Sequence, residues 1–118
     1  MAVRHLEVGV RREPGGAVLD LKGEINGFAE GPLDAAYAEA EKENPGTIIL
    51  NFTAMEYMNS GGIGLLVTLL IRMKRQQQRL LTFGLSEHYR HIFDVTQLDE
   101  AIGVYETESE ALAAAHGP

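Results

Sequence analysis

Residues 47–66 read TIILNFTAMEYMNSGGIGLL, and this stretch decides the fold. Its first six residues, 47–52, are mostly β-branched or apolar, which is typical of a short strand buried on both faces. Ser60 and two glycines then form a turn, after which apolar residues recur with helical spacing to about residue 78. The stretch therefore predicts a strand, a turn and a helix in succession.

Before this unit, the sequence predicts a hairpin and a helix. Residues 6–12 and 17–22 alternate loosely between apolar and polar side chains, and Pro14 and two glycines separate them. Residues 33–42 have a helical pattern, with Pro32 in the first turn and an Asn-Pro-Gly sequence beyond the end. The chain thus begins with two antiparallel strands and one helix.

After this unit, strands and helices continue to alternate. The pattern predicts a strand over 80–83, a helix over 86–93, a short strand at 104–105 and a helix from Ser109. Such alternation is typical of an α/β fold with a mixed, mostly parallel sheet, here opened by the N-terminal hairpin. We expect a single domain over residues 1–118, a usual length for one hydrophobic core.

The composition excludes several classes of protein but does not indicate a specific function. The net charge of −7 makes a direct nucleic-acid partner a poor expectation, because phosphate binding relies on clustered Lys and Arg. The absence of cysteine excludes disulfides and thiolate chemistry, and it fits a reducing cytoplasm. No signal peptide is recognisable, and the longest apolar run, near residues 63–71, is well short of the ~20 residues that span a bilayer. We expect a cytoplasmic protein that does not insert into membranes.

Catalytic and metal-binding patterns are weak. His88 and His91 are spaced for one helix face but lack a third ligand, so we expect no metal site. No serine–histidine–carboxylate arrangement of recognisable spacing is present. The sequence therefore predicts neither an enzyme nor a cofactor.

Ser60 allows three interpretations. It lies at the predicted helix start or within a residue of it, where a serine can serve as an ordinary N-cap. The glycines also permit a phosphate-binding loop, although no Gly-Lys-Ser/Thr ending brings a lysine to the phosphates. The serine can instead be phosphorylated itself, since a phosphate at a helix N-terminus is favoured by the macrodipole. Physical reasoning alone leaves capping and phosphorylation open.

The helix after Ser60 carries apolar residues on more than one side. At ~100° per residue, one face would pack on the sheet; its members are Ile63, Leu66, Val67, Leu70 and Met73. Leu65 and Leu69 point largely away from that face, beside Thr68 and Arg72. Either a neighbouring helix, such as the one after Ser86, covers them, or they form a partner-binding patch.

Several segments together resemble a known family. They are LKGEIN at 21–26, ILNF at 49–52, YMNSGGIGLL at 57–66, GLS at 84–86, FDVTQLD at 93–99 and the final helix over 108–114. In this order they resemble the STAS domain, the fold shared by anti-sigma factor antagonists and the cytosolic tails of sulfate transporters. The resemblance covers about residues 8–114 and implies a sheet with helices packed on one face.

The resemblance also implies a mechanism, partner switching. The unmodified antagonist binds an anti-sigma factor that is also a serine kinase, the kinase phosphorylates the loop serine and releases the antagonist, and a serine phosphatase resets it. Ser60 occupies the position of that serine. The implied partner-binding residues surround it and follow it along the helix: Asn26, Asn59, Gly61, Gly62, Gly64, Leu65, Thr68, Leu69 and Arg72. Besides these partners, we expect at most a weak homodimer.

Two positions depart from the family pattern and motivate an alternative. Asn59 and Asn26 stand where the family often has aspartate. The alternative is a STAS scaffold or transport-accessory subunit that is not phosphorylated. A third hypothesis, a small nucleotide-binding module, rests on the glycine loop alone.

Overall fold

The computed structural model of the chain describes residues 5–117, so both ends of the predicted domain, residues 1–4 and 118, lie outside the described residues. The strands are β1 (Glu7–Glu13), β2 (Gly16–Ile25), β3 (Thr47–Met58), β4 (Arg79–Phe83) and β5 (Gly103–Tyr105). The helices are α1 (Glu30–Glu41), α2 (Ser60–Arg75), α3 (Glu87–Val95) and α4 (Glu108–His116), with a 3₁₀ turn at Leu98–Glu100.

The five strands form one mixed sheet in the order β1-β2-β3-β4-β5. β1 and β2 pair antiparallel, and Gly15 adopts a positive φ of 90° in the two-residue turn between Glu13 and Gly16. The remaining neighbours pair in parallel. The predicted α/β fold, with its hairpin and parallel strands, is confirmed.

Two element boundaries differ from the prediction at the end of the sheet that matters most for function. β3 continues to Met58, well beyond residue 52, and β2 continues to Ile25. Beyond Asn51 the only described neighbour of β3 is β2. The side chains of residues 53–57 are half-buried or exposed, so this part of the strand lacks the apolar pattern of a buried strand. The two strands therefore extend together beyond β4.

Both faces of the sheet are covered. The larger core lies between the sheet and α1, α2 and α3, and contains Leu19, Leu50 and Phe52. On the other face, Val18, Ile49 and Leu81 pack with Ala111 of α4. The expectation that all helices pack on one face is correct for α1–α3 and wrong for α4. The physical reason is that the central strands are apolar on both faces, so each face needs a cover.

Arg11 joins the hairpin to the start of α4. Its guanidinium donates to Asp20 at 2.6 and 2.9 Å and to Glu108 at 2.8 and 3.0 Å. Asn51 adds a hydrogen bond to Asp20 at 2.8 Å. The bonds from Arg11 hold the pKa of both carboxyl groups below their ordinary values, with Asn51 contributing at Asp20. This cluster fixes α4 against the second face.

Candidate functional site

The candidate site lies where β2 and β3 end side by side. Ile25 is paired with Met58, and the chain leaves both strands at this edge, toward α1 and α2 respectively. The backbone N–H of Asn59 still donates to the carbonyl of Ile25 at 3.2 Å. Two loops and two helix N-termini therefore meet at one edge of the sheet, the edge at which α/β proteins usually place their sites.

Asn59, and not Ser60, is the N-cap of α2. Asn59 has extended backbone geometry, and its side-chain oxygen accepts a hydrogen bond from Gly62 N–H at 3.0 Å. Ser60 is the first residue of the helix and is exposed. Within residues 5–117 its hydroxyl makes no hydrogen bond. The interpretation of Ser60 as an ordinary cap is therefore wrong, and its hydroxyl is available to solvent.

Gly61 and Gly62 allow α2 to start close against the end of β2. A Cβ atom on Gly62 would lie 2.0 Å from the carbonyl oxygen of Ile25, and one on Gly61 would lie 3.1 Å from the backbone nitrogen of Gly27. The glycines are thus needed for packing between the two loops. Gly64 differs, because a Cβ there would contact nothing within 4 Å.

The loop from β2 to α1 is fixed by Asn26. Its side-chain oxygen accepts from Phe28 N–H at 2.8 Å, and its carbonyl accepts from Ala29 N–H at 3.0 Å. This is the Asx-turn arrangement that asparagine favours in loops. The Phe28 side chain is left 88% exposed.

Tyr89 of α3 also holds the site, although it is not among the residues predicted from the sequence. Its hydroxyl accepts a hydrogen bond from the backbone N–H of Met58 at 2.9 Å, across a separation of 31 residues. Tyr89 lies in the first turn of α3, whose N-cap is Ser86. No local pattern marks this contact, because it depends on how α3 docks beside β3.

The remaining predicted contact residues run down α2, beside α1. Leu69 is buried, Leu65 is half-buried and Thr68 is exposed, with its hydroxyl donating to the carbonyl of Gly64 at 3.0 Å. Leu33 of α1 lines the same groove, so α1, and not the helix after Ser86, covers this side of α2.

Arg72, further along α2, also lines that groove and contacts α1. It donates to Asp34 of α1 at 2.7 Å, and its guanidinium lies 4.8 Å from the ring centre of Tyr37. Arg72 therefore joins the two helices. The structure thus divides the predicted residues into a cluster around Ser60, comprising Asn26, Asn59, Gly61 and Gly62, and a line along α2, comprising Gly64, Leu65, Thr68, Leu69 and Arg72.

The described residues form no metal-binding cluster, no membrane-spanning helix and no open phosphate-binding loop. Across residues 5–117, no three His, Asp or Glu side chains are grouped so that they could hold a metal ion. In the same part of the chain, no helix has both the length and the apolar character to cross a membrane. The glycine loop does not form an open cradle, since Gly62 N–H is bonded to Asn59 and both glycines face β2 and its loop.

Comparison with known proteins gives a consistent family. The STAS domain profile matches residues 7–111. The anti-sigma-B factor antagonist of Listeria monocytogenes is 30% identical over 94 residues, which are 73% of this chain and 82% of that protein.

Two solved structures have the same fold. The structure of an anti-sigma factor antagonist from Mycobacterium paratuberculosis superimposes with a TM-score of 0.79 at 21% identity, covering 93% of each chain. The Bacillus cell fate determinant SpoIIAA in its phosphorylated form superimposes with a TM-score of 0.70 at 23% identity, covering 92% of this chain and 99% of that one.

Proposed function

This chain belongs to the STAS domain family, and on that premise we propose that it is an anti-sigma factor antagonist that acts by partner switching. In its unmodified form it binds an anti-sigma factor that is also a serine kinase. The kinase transfers the γ-phosphoryl group of ATP to the hydroxyl of Ser60, which releases the antagonist. A serine phosphatase restores the unmodified form.

The accessibility of Ser60 is the observation that carries this proposal. Its hydroxyl is exposed and, within residues 5–117, makes no hydrogen bond. Asn59 caps the helix, so Ser60 is not needed for that purpose. A kinase can therefore modify the hydroxyl without removing a contact that holds the fold together.

The position of Ser60 also explains how phosphorylation would act without unfolding the protein. A phosphoserine carries about −1.5 to −2 charges at neutral pH. At the first residue of α2 this charge meets the positive end of the helix macrodipole and is tolerated. In the centre of a packed interface, the same charge meets desolvation and like-charge costs of several kcal/mol, and each ~1.4 kcal/mol weakens binding tenfold. The fold is kept and the complex dissociates.

The names of relatives support the proposal in a second way. The Listeria protein is named as an anti-sigma-B factor antagonist, and SpoIIAA has been solved in a phosphorylated form. These relatives are regulators by name. We therefore propose that this chain is the substrate of a kinase and has no catalytic activity of its own.

Mass spectrometry after incubation with ATP and the cognate kinase tests the proposal. The chain has three serines, Ser60, Ser86 and Ser109, which makes site assignment simple. We expect one added phosphate in the wild type and in Ser109→Ala, and none in Ser60→Ala. A kinase that phosphorylates a known substrate but leaves Ser60 unmodified would contradict the proposal.

The second candidate, a STAS scaffold or transport-accessory subunit that is not phosphorylated, is favoured by Asn26 and Asn59. Both side chains serve the local fold through their oxygen atoms, and an aspartate would accept the same hydrogen bonds. Asn26→Asp and Asn59→Asp are therefore matched variants that add the family's charges without removing a contact. Phosphorylation that requires these substitutions, or a pull-down that recovers transporter components and no kinase, supports the second candidate.

A further inference from the structure

The apolar side chain of Phe28 is exposed to water, which is energetically unfavourable for an aromatic ring. It is 88% exposed, the highest value among the large exposed hydrophobic residues of the described chain. The others are Val95 at 62%, Tyr57 at 50% and Ile71 at 47%. A single exposed apolar side chain is ordinary on a protein surface. The position and rigidity of Phe28 are what distinguish it.

The backbone around Phe28 is fixed on both sides. The N–H of Phe28 donates to the side chain of Asn26 at 2.8 Å, and the next N–H, that of Ala29, donates to the carbonyl of Asn26 at 3.0 Å. Ala29 is 2% exposed and belongs to the main core. The aromatic ring is therefore presented by an ordered turn anchored in the core, so little backbone entropy is lost when it binds.

Phe28 lies on the same edge of the molecule as Ser60. The residue before it, Gly27, contacts the residue after Ser60: a Cβ on Gly61 would lie 3.1 Å from the nitrogen and 3.3 Å from the Cα of Gly27. Tyr57, half exposed, precedes the site on β3. Two accessible aromatic residues thus lie near Ser60. Tyr57 is three residues before it in the chain, and Phe28 follows Gly27, which contacts Gly61. Exposed aromatic residues are enriched at the anchors of protein interfaces.

The surroundings of Phe28 are acidic. Glu30 follows it by two residues and is exposed, and Glu24, half-buried, pairs with Tyr57 across the strands. Within residues 5–117, neither carboxylate takes part in an ion pair. This edge therefore presents one apolar side chain, Phe28, with the carboxylates of Glu24 and Glu30 nearby. A complementary partner offers an apolar pocket with lysine or arginine at its margin.

We propose that Phe28 is the anchor residue with which this edge docks onto the anti-sigma factor kinase, its ring filling an apolar pocket beside the kinase's active site. This inference rests on the proposed function and identifies a docking contact separate from the modified hydroxyl. The contact is the same before and during phosphoryl transfer. Loss of the ring therefore raises KM and leaves kcat unchanged, whereas a residue that acted on the transferred phosphoryl group would lower kcat.

Titration calorimetry and steady-state phosphorylation test this inference. The probes are the purified anti-sigma factors of histidine-kinase-like ATPase fold encoded in the source genome, each titrated with the unmodified chain. With the one that binds, we expect Phe28→Ala to weaken binding at least ~tenfold. Phe28→Tyr keeps the ring and restores binding to within ~threefold of the wild type. Val95→Ala, which shortens an exposed apolar residue at the end of α3, is the matched control and leaves the affinity unchanged.

The outcomes separate this inference from the proposed function. If the wild type and Phe28→Ala bind equally well, the docking role is wrong and the proposed function stands. If no anti-sigma factor binds the wild type, both are overturned. If sedimentation velocity shows a wild-type dimer that Phe28→Ala dissociates, the ring contacts a second copy of this chain and the docking role is again wrong. Circular dichroism of Phe28→Ala should match that of the wild type, because Phe28 is 88% exposed and is not part of the hydrophobic core.

Discussion

The hydroxyl of Tyr89 accepts a hydrogen bond from the backbone N–H of Met58 at 2.9 Å, two residues before the candidate phosphoacceptor. Both residues are buried. On the other side of this segment, Asn59 N–H donates to the carbonyl of Ile25 at 3.2 Å. Hydrogen bonds to α3 and to β2 therefore fix the end of β3. Because α2 begins immediately after it, the same two bonds also fix the position of the start of α2.

Replacing Tyr89 by phenylalanine should loosen this segment without changing the shape of the core. The buried N–H of Met58 would lose its acceptor, which typically costs about 1–3 kcal/mol. We expect a lower midpoint of urea unfolding and faster hydrogen exchange at the Met58 amide. Tyr105→Phe is the control: it removes a hydroxyl that makes no hydrogen bond within residues 5–117 and should change neither quantity. Unchanged exchange at Met58 in Tyr89→Phe would show that the bond does not hold the segment.

The N-cap of α2 gives a prediction that separates stability from function. Asn59→Ala should lower the free energy of unfolding by about 1 kcal/mol, because Gly62 N–H loses its acceptor. Ser60→Ala should leave stability nearly unchanged. Ser60→Asp should match or exceed the wild type by about 0.3–1 kcal/mol, since a negative charge at the helix start is favoured.

Thermal or urea unfolding of these three variants is the measurement. A loss of stability in Ser60→Ala as large as that in Asn59→Ala would contradict the assignment of Asn59 as the cap. In the binding assay the order should differ: under the proposed function, Ser60→Asp weakens binding of the anti-sigma factor and Ser60→Ala retains it. Equal affinities for the two Ser60 variants would count against an electrostatic switch.

Gly62 and Gly64 form a matched pair on one helix. Gly62→Ala would place a Cβ 2.0 Å from the carbonyl oxygen of Ile25, so the backbone must shift and we expect a loss of several kcal/mol. Gly64→Ala meets nothing within 4 Å and replaces a poor helix former, so it should stabilise the protein by up to about 1 kcal/mol. Urea unfolding of both variants checks the prediction, and equal destabilisation would refute the contrast.

The cluster around Arg11 predicts a loss of stability in acid. Arg11 holds the pKa of Asp20 and Glu108 below their ordinary values in the folded protein. The unfolded chain therefore takes up protons first as the pH falls. The stabilisation is complete above the ordinary carboxyl pKa values and is lost as the pH falls through the folded ones, so the decline should begin below about pH 5.

Arg11→Met should reduce this acid dependence, because both carboxyl groups lose the partner that lowers their pKa. The readout is the unfolding free energy measured from neutral pH to about pH 3. Arg12→Met is the matched control, since it removes an equal charge from the next residue, whose partners Glu39 and Glu43 are separate from this cluster. An acid dependence in Arg11→Met as steep as that in the wild type would be inconsistent with the cluster.

The order of the elements could be predicted because its signals are local. Alternation marks β1 and β2, Pro14 and Gly15 mark their turn, and helical spacing after Ser60 marks α2. The ends of elements were less accurate. α2 stops at Arg75, before the predicted end near residue 78, where Gln77 adopts a positive φ of 59° that periodicity does not reveal. The end of β3 was missed because a strand with a single described neighbour carries no buried pattern there.

By itself, the sequence determined the mixed α/β sheet, the hairpin, the strand–turn–helix unit and the place of Ser60 at the start of α2. These depend on residues close together in the chain, whose spacing and backbone preferences are readable directly. Tertiary structure decided that α4 covers the second face, that α1 buries Leu69, that Tyr89 holds Met58 and that Phe28 is exposed on the same edge of the molecule as Ser60. Those features join residues far apart in the chain, and only the packing of helices on the sheet determines which distant side chains meet and which are left to solvent.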